Sequence, residues 1–179
     1  MVYASEYESP LGRITLAGEG DYLVGLWFEG QKYFGGTVAG GIAAKGDGTL
    51  VNAAKRWLDR YFAGLRPAVT DLPLAPAGSG FRQAVWKTLC EIPYGEYMTY
   101  GEIAVRMAAD MGKDRMSAQA VGGAVGHNPL SIIIPCHRVV GAQGSLTGYA
   151  GGIGKKLCLL EHEGADTSRL FIPAKGTAL

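Results

Sequence analysis

Residues 131–140 read Ser131-Ile132-Ile133-Ile134-Pro135-Cys136-His137-Arg138-Val139-Val140. The density of Ile and Val predicts a short buried extended segment. Pro135, with its φ fixed and no N–H to give, ends any ladder there. Cys136 therefore stands just past the end of a rigid piece, a place from which a side chain can be aimed. The thiolate is the reactive form of cysteine, and nearby cationic groups such as His137 and Arg138 lower a thiol pKa from about 8.5 toward roughly 7 or below. Read this way, Cys136 is a candidate nucleophile. It equally fits a buried structural thiol, because free cysteine is among the most buried residue types. The stretch alone leaves both readings open.

The residues on either side of it predict a mostly helical unit. Ser79 can cap a helix that carries Phe81, Val85, Trp86 and Leu89 on one face. Pro93-Tyr94-Gly95-Glu96 is a turn, and Thr99-Tyr100-Gly101-Glu102 is a capping-box sequence that starts a short helix through about Met107. After the polar Lys113-Asp114-Arg115, Ser117 caps a helix of small residues, Ala118, Gln119, Ala120, Val121, Gly122, Gly123 and Ala124. Each glycine costs such a helix roughly 1 kcal/mol relative to alanine, a loss that makes sense if another backbone must come close. Two short helices joined by a polar turn match a helix-turn-helix, and small residues serve plain helix packing as well. His127-Asn128-Pro129 turns the chain into the Cys136 segment, with His127 read as a polar loop residue. Thr147 to Gly152 is a flexible loop. A last helix runs from about Lys155 to His162 with Leu157, Leu159 and Leu160 apolar, and Glu163-Gly164 closes it.

Toward the N-terminus, residues 2–8, 11–17 and 22–28 alternate as strands do, with turns at Ser9–Gly12 and Gly18–Asp21. Residues 35–48, rich in Gly and Ala, read as a flexible connection. From Leu50 the spacing Leu50, Ala54, Trp57, Leu58, Tyr61, Phe62 predicts a helix that Gly64 ends. The aromatic residues of this part read as core. Pro67, Pro73, Pro76, Gly78 and Ser79 mark a linker. The expected organisation is α+β in two domains: 1–65 a small N-terminal unit, 66–79 the linker, 80–165 the helical domain and 166–179 a loose tail.

The 179 residues are 47% hydrophobic and 18% charged, as in a globular protein, with 28 glycines. Three cysteines, at 90, 136 and 158, form an odd set without paired spacing, which suits a reducing, cytoplasmic setting better than a disulfide framework. The first residues lack the pattern of a signal peptide, and no apolar run is long enough to span a bilayer. The net charge of +1 lends no support to binding through phosphate neutralisation; residues 80–165 hold 8 basic and 7 acidic side chains.

Together these stretches resemble the O6-alkylguanine-DNA alkyltransferases, or methylated-DNA–protein-cysteine methyltransferases. The resemblance rests on Pro135-Cys136-His137-Arg138-Val139, preceded by Ala120-Val121-Gly122-Gly123-Ala124 and Asn128-Pro129. Gly148-Tyr149-Ala150-Gly151-Gly152 and Leu159-Leu160-Glu161-His162-Glu163-Gly164 follow at the family's spacing. It is dense over residues 80–165 and weak before them. It implies a ribonuclease H-like α/β N-terminal domain and a winged helix-turn-helix-like C-terminal domain. The implied activity is single-use DNA repair: the alkyl group of O6-alkylguanine, with O4-alkylthymine as a second candidate, moves irreversibly to Cys136 after the nucleotide is flipped out of the duplex.

By position, the resemblance makes Cys136 the nucleophile, His137 its base through a water, and Glu163 the group that orients His137. Asn128 braces the active-site turn, and Tyr100 assists flipping and hydrogen-bonds the leaving guanine. Backbone groups of Cys136, Val139 and Ala150 read the guanine edge, Tyr149 flanks the base, and Lys156 lies near the pocket. Ser117, Ala118, Gln119, Ala120, Gly122 and Arg138 complete the expected DNA- and substrate-binding set. The implied partner is double-stranded DNA entered from the minor groove by a monomer, with no membrane, metal or cofactor. Gln119 stands where the family often has an arginine finger, and the N-terminal zinc-binding cysteines of some relatives are absent.

The residue types fit that chemistry. Attack at an sp³ carbon needs a soft nucleophile, and a base oriented by a third group is the general way to make one from a thiol. A leaving guanine that gains negative charge is helped by a tyrosine O–H. Three rivals compete. A binding-only relative of the fold would lack the nucleophile, which is present here. Cys158 and His162, four apart on a helix, suggest a zinc site together with Cys136 and His137. Cys136 and His137 suggest a thiol hydrolase, whose dyads normally come from residues distant in sequence.

Overall fold

The computed structural model describes residues 1–38 and 40–174. Three alternating segments near the N-terminus pair as an antiparallel meander: β1 (Val2–Ser9), β2 (Gly12–Glu19) and β3 (Tyr22–Phe28). A two-residue strand, β4 (Ala44–Lys45), adds to β1 in parallel, so the sheet order is β3-β2-β1-β4. The stretch expected to be wholly irregular between 35 and 48 thus closes the far edge of the sheet. Gly25 is needed within β3 because a Cβ there would lie 1.9 Å from the Trp27 indole, which folds back over the strand.

Helix α1 (Thr49–Phe62) buries Val51, Ala54, Trp57, Leu58 and Tyr61, the stripe its spacing predicted. These side chains meet Ile14, Leu16, Leu23, Leu26 and Phe28 from one face of the sheet. The same apolar cluster runs on without a break into Val85, Trp86, Leu89, Val125, Ile133, Cys136 and Leu159. The two units therefore share one core.

Residues 66–79 connect them, but not as a free tether. A single 3₁₀ turn at Val69–Asp71 and the buried Leu72 lead to Pro73, whose carbonyl accepts from Leu23 N–H at 2.9 Å. Ala75 N–H returns a bond to the Leu23 carbonyl at 3.0 Å. Further along β3, Leu26 N–H donates to Pro129 O at 2.8 Å and Ser131 N–H to Leu26 O at 3.0 Å. The outer edge of β3 is thereby satisfied by two later segments, as a sheet edge must be. One of these segments leads straight to Cys136.

The C-terminal unit contains α2 (Gly80–Leu89), β5 (Met98–Thr99), α3 (Tyr100–Asp110), α4 (Ala118–Gly126), β6 (Val139–Val140) and α5 (Ile153–His162). Each helix start that was legible has its cap. Ser79 Oγ accepts from Arg82 N–H, Ser117 Oγ accepts from Ala120 N–H, and Thr99 and Glu102 close a reciprocal capping box. Helices α3 and α4 pack together as a helix-turn-helix, and β5 pairs in parallel with β6. Of the expected loose tail, Phe171 bonds back to the 144–146 loop through Leu146 N–H at 2.8 Å and Gly144 O at 3.1 Å. Residues 175–179 lie outside the described residues.

Candidate functional site

The Ile132–Ile134 run is buried, as its composition predicted, but it is not extended. It forms compact turns in which Ile133 N–H donates to Ser131 O, Ile134 N–H to Leu130 O and Cys136 N–H to Ile134 O, at 2.8–2.9 Å. Ile132 takes φ +69°, a left-handed conformation that is costly for a β-branched residue. Asn128 holds this geometry in place. Its Nδ2 donates to Ile134 O at 2.8 Å, and its Oδ1 accepts from Leu130 N–H at 3.0 Å. Alternation alone cannot reveal such a turn, because the side chain that bends it lies four positions before the run.

Beyond Pro135, one 3₁₀ turn carries Cys136, His137 and Arg138, all buried. His137 is fully enclosed. Its Nε2 lies 2.7 Å from Glu163 Oε1, and its Nδ1 is buried with no hydrogen-bond partner among the described residues. A carboxylate can only accept, so Nε2 carries the proton and Nδ1 keeps its lone pair. Burial lowers the His137 pKa despite the opposing effect of Glu163, which keeps the imidazole neutral and basic at Nδ1.

Glu163, the C-cap of α5, is the hub. Besides His137 it accepts from Arg138 Nε at 2.8 Å and Nη2 at 3.0 Å, Gly95 N–H at 3.2 Å and Tyr61 Oη–H at 2.8 Å. Burial acts to raise its pKa. The bonds and charges of His137 and Arg138 outweigh that and hold it well below the usual carboxylate range. Arg138 is thus committed inward: Nη1 donates to Ile92 O at 2.6 Å, and its guanidinium is not presented to DNA or substrate as expected. Tyr61, at the end of α1, read as plain core from its helical spacing, and no local signal marked its hydroxyl.

The cation that acts on Cys136 is not one of its sequence neighbours but Lys156. This lysine has no exposed surface; its Nζ donates to Thr147 O at 2.9 Å. Burial brings it down from 10.5 to about 8, against the pull of Cys136. The Cys136 thiol is pushed up by burial and drawn down by the Asn128 side chain and the Lys156 charge. Expecting an activated thiol from the sequence alone overlooked this desolvation.

Tyr100, first residue of α3, sends its hydroxyl to Thr147 O and Gly148 O, each at 3.1 Å, which places it on the loop that Lys156 also holds. Burial and Cys136 raise its pKa, so it remains a phenol. Tyr149 is buried next in line, and Ala150 O accepts from Lys32 N–H at 3.2 Å. Val139 is buried, and its N–H bonds to Cys136 O. On α4, Ser117, Ala118, Gln119 and Ala120 are exposed, while Val121, Ala124 and Val125 face the core. Neither Gly122 nor Gly123 is required by internal packing. A Cβ on Gly122 would reach the Tyr100 ring only at 3.7 Å, and one on Gly123 would meet nothing.

The zinc alternative separates in space: Cys158 is exposed, Cys136 is buried, and His162 Nε2 donates to Tyr61 O at 2.8 Å. His127 stacks on Tyr33 at 4.0 Å, a contact its loop position did not announce.

Comparison with known proteins matches two family models to the chain, one on each side of residues 77–79. A model described as the ribonuclease-like domain of 6-O-methylguanine DNA methyltransferase matches residues 2–76, and the DNA binding domain of the same family matches residues 80–165. A methylated-DNA–protein-cysteine methyltransferase of Mycobacterium bovis is 44% identical over 163 residues, 91% of this chain and 93% of that protein. One from Haemophilus influenzae is 38% identical over 162 residues, 90% and 86% of the two chains. Among solved structures, Mycobacterium tuberculosis OGT in complex with DNA matches with a TM-score of 0.76 at 42% identity, over 96% of each chain.

Proposed function

The chain belongs to the 6-O-methylguanine DNA methyltransferase family, and we propose that it repairs O6-alkylguanine in DNA by taking the alkyl group onto Cys136. The observation that carries the assignment of roles is the fixed His137–Glu163 pair beside a buried thiol. Glu163 holds Nε2–H, leaving Nδ1 to accept the Cys136 proton through a water. The thiolate, favoured by Lys156 and Asn128, attacks the sp³ carbon on O6. The S–C bond forms as the C–O6 bond breaks, and the electron pair stays on the guanine, where the Tyr100 hydroxyl can hydrogen-bond the developing negative charge. The product is a thioether, which no group in the site can cleave, so each molecule acts once.

To reach Cys136 the base must leave the duplex. Flipping costs a few kcal/mol, less for a lesion that pairs badly. The exposed Ser117–Ala120 turn of α4 is the face we assign to the minor groove, with Gln119 in the gap left by the base. The half-buried Gly122 and exposed Gly123 allow a sugar-phosphate backbone to approach closely. Tyr149 and the backbone of Val139 and Ala150 enclose the base. No described helix is long and apolar enough to cross a membrane, and the three free thiols fit a reducing cytoplasm.

Cys136→Ser tests binding apart from chemistry. An alcohol is scarcely ionised near neutrality, so the variant should hold O6-methylguanine duplex as tightly as the parent, prefer it to undamaged duplex, and transfer nothing. A folded serine variant that still removes the methyl group would show that Cys136 is not the acceptor. One that binds neither duplex would sink the assigned DNA face.

A further inference from the structure

We infer that Tyr61, a residue of the N-terminal unit, is a positioning residue for the Glu163–His137 pair, an assignment that rests on the alkyl-transfer reading above. Its hydroxyl crosses 102 positions of sequence to donate to Glu163 Oε1 at 2.8 Å. That oxygen is the one His137 Nε2 meets at 2.7 Å, with Arg138 Nη2 as third donor at 3.0 Å.

The phenol is well placed to act on its neighbour. Its ring is buried, stacked on Trp57 at 5.6 Å and 7° and flanked edge-on by Phe62 and Tyr94, so the hydroxyl has little freedom. The Tyr61 carbonyl also receives His162 Nε2–H, which ties the end of α1 to the end of α5. Burial and Glu163 both keep the hydroxyl protonated, so it serves only as a donor.

Because Tyr61 and His137 share one carboxylate oxygen, the tyrosine bond draws electron density that the imidazole N–H would otherwise receive. Removing the hydroxyl leaves Oε1 more basic toward Nε2–H, loosens the carboxylate, and makes His137 easier to protonate. The charged and titratable groups around His137 are Glu163 and Lys156 of α5, Arg138 and Cys136 beside it, and, through Glu163 and Cys136, Tyr61 of α1, Tyr94 and Tyr149. The N-terminal unit on this view completes the reaction centre, in addition to covering the core.

The test follows the single-turnover transfer rate against pH on one O6-methylguanine duplex. It compares the parent, Tyr61→Phe, and protein carrying a ring-fluorinated tyrosine at position 61, whose more acidic phenol is a stronger donor. Tyr61→Phe should slow transfer about tenfold at neutral pH, a fraction of the roughly 100-fold or more that a general base supplies. It should leave duplex Kd unchanged and move the acid limb of the profile up by about half a pH unit. The fluorinated protein should move the limb down. A packing role would lower Tm and rate without moving the limb. Limbs that coincide in all three proteins, or shift the same way in both variants, overturn the inference. If Tyr61→Phe does not fold, the fluorinated protein, which keeps ring and hydroxyl, still decides by the sign of its shift. A parent that transfers nothing sinks the alkyl-transfer reading itself.

Discussion

Replacing Lys156 by Met should make the protein more stable and less active at neutral pH. The lysine is wholly enclosed, and burial brings its pKa from 10.5 to about 8. A shift of that size corresponds to about 3 kcal/mol of native-state destabilisation near pH 7, where the ammonium must be carried inside. Losing the bond to Thr147 O returns about 1 kcal/mol, and that carbonyl keeps its bond from Tyr100. Methionine fills the space of the apolar stem, so the net gain is about 2 kcal/mol. The sign with pH follows from proton counts. Between about 8 and 10.5 the unfolded chain holds the lysine proton and the native chain does not, so parental stability rises with pH across that window. The variant lacks this rise, and its advantage should vanish by about pH 10. Paired urea denaturation at neutral and alkaline pH measures the difference, in which titrations not coupled to Lys156 cancel. The same change removes the charge that eases Cys136 ionisation, so transfer should slow roughly tenfold. A variant less stable than the parent at pH 7, or a gap that stays constant up to pH 10, would refute the reasoning.

Gln119→Ala removes the exposed side chain assigned to the gap left by the base. It should slow repair of duplex DNA while leaving reaction with a free O6-alkylguanine base nearly unchanged; equal slowing on both substrates in a timed transfer assay would place Gln119 in the pocket instead. Gly123→Ala adds a methyl that meets nothing within 4 Å among the described residues, so thermal melts should show about 1 kcal/mol of added helix stability. Gel-shift titration at fixed salt should show weaker duplex binding, and unchanged binding would return the small residues of α4 to a packing role.

Much of the local chemistry was legible from residue order. Thr99 and Glu102, Ser79 and Ser117 cap their helices because a side-chain oxygen three residues from an orphan N–H needs no distant partner. The meander followed from alternation, and the Cys136–Asn128–Glu163 set came from linked motifs. What could not be read were destinations set by residues far along the chain. Arg138 turns inward because Glu163, 25 positions later, offers a buried carboxylate. The Ile132–Ile134 run bends because Asn128 takes the Ile134 carbonyl and the Ile133 and Ile134 N–H groups turn back to Ser131 O and Leu130 O. Cys136 draws its cation from Lys156 on α5, and burial raises its pKa where an exposed thiol beside two basic residues would have been lowered. Tyr61 shows the limit most clearly, since its helical spacing correctly marked a core aromatic and said nothing of where the hydroxyl ends.

The most direct measurement is the intact mass of the protein after incubation with excess O6-methylguanine duplex, followed by peptide mapping. One added methyl per chain, located on Cys136, with repair ceasing once the protein is consumed, is the predicted result. Repeated turnover by unmodified protein, or a methyl found on the half-buried Cys90 or the exposed Cys158 with Cys136 untouched, would contradict it.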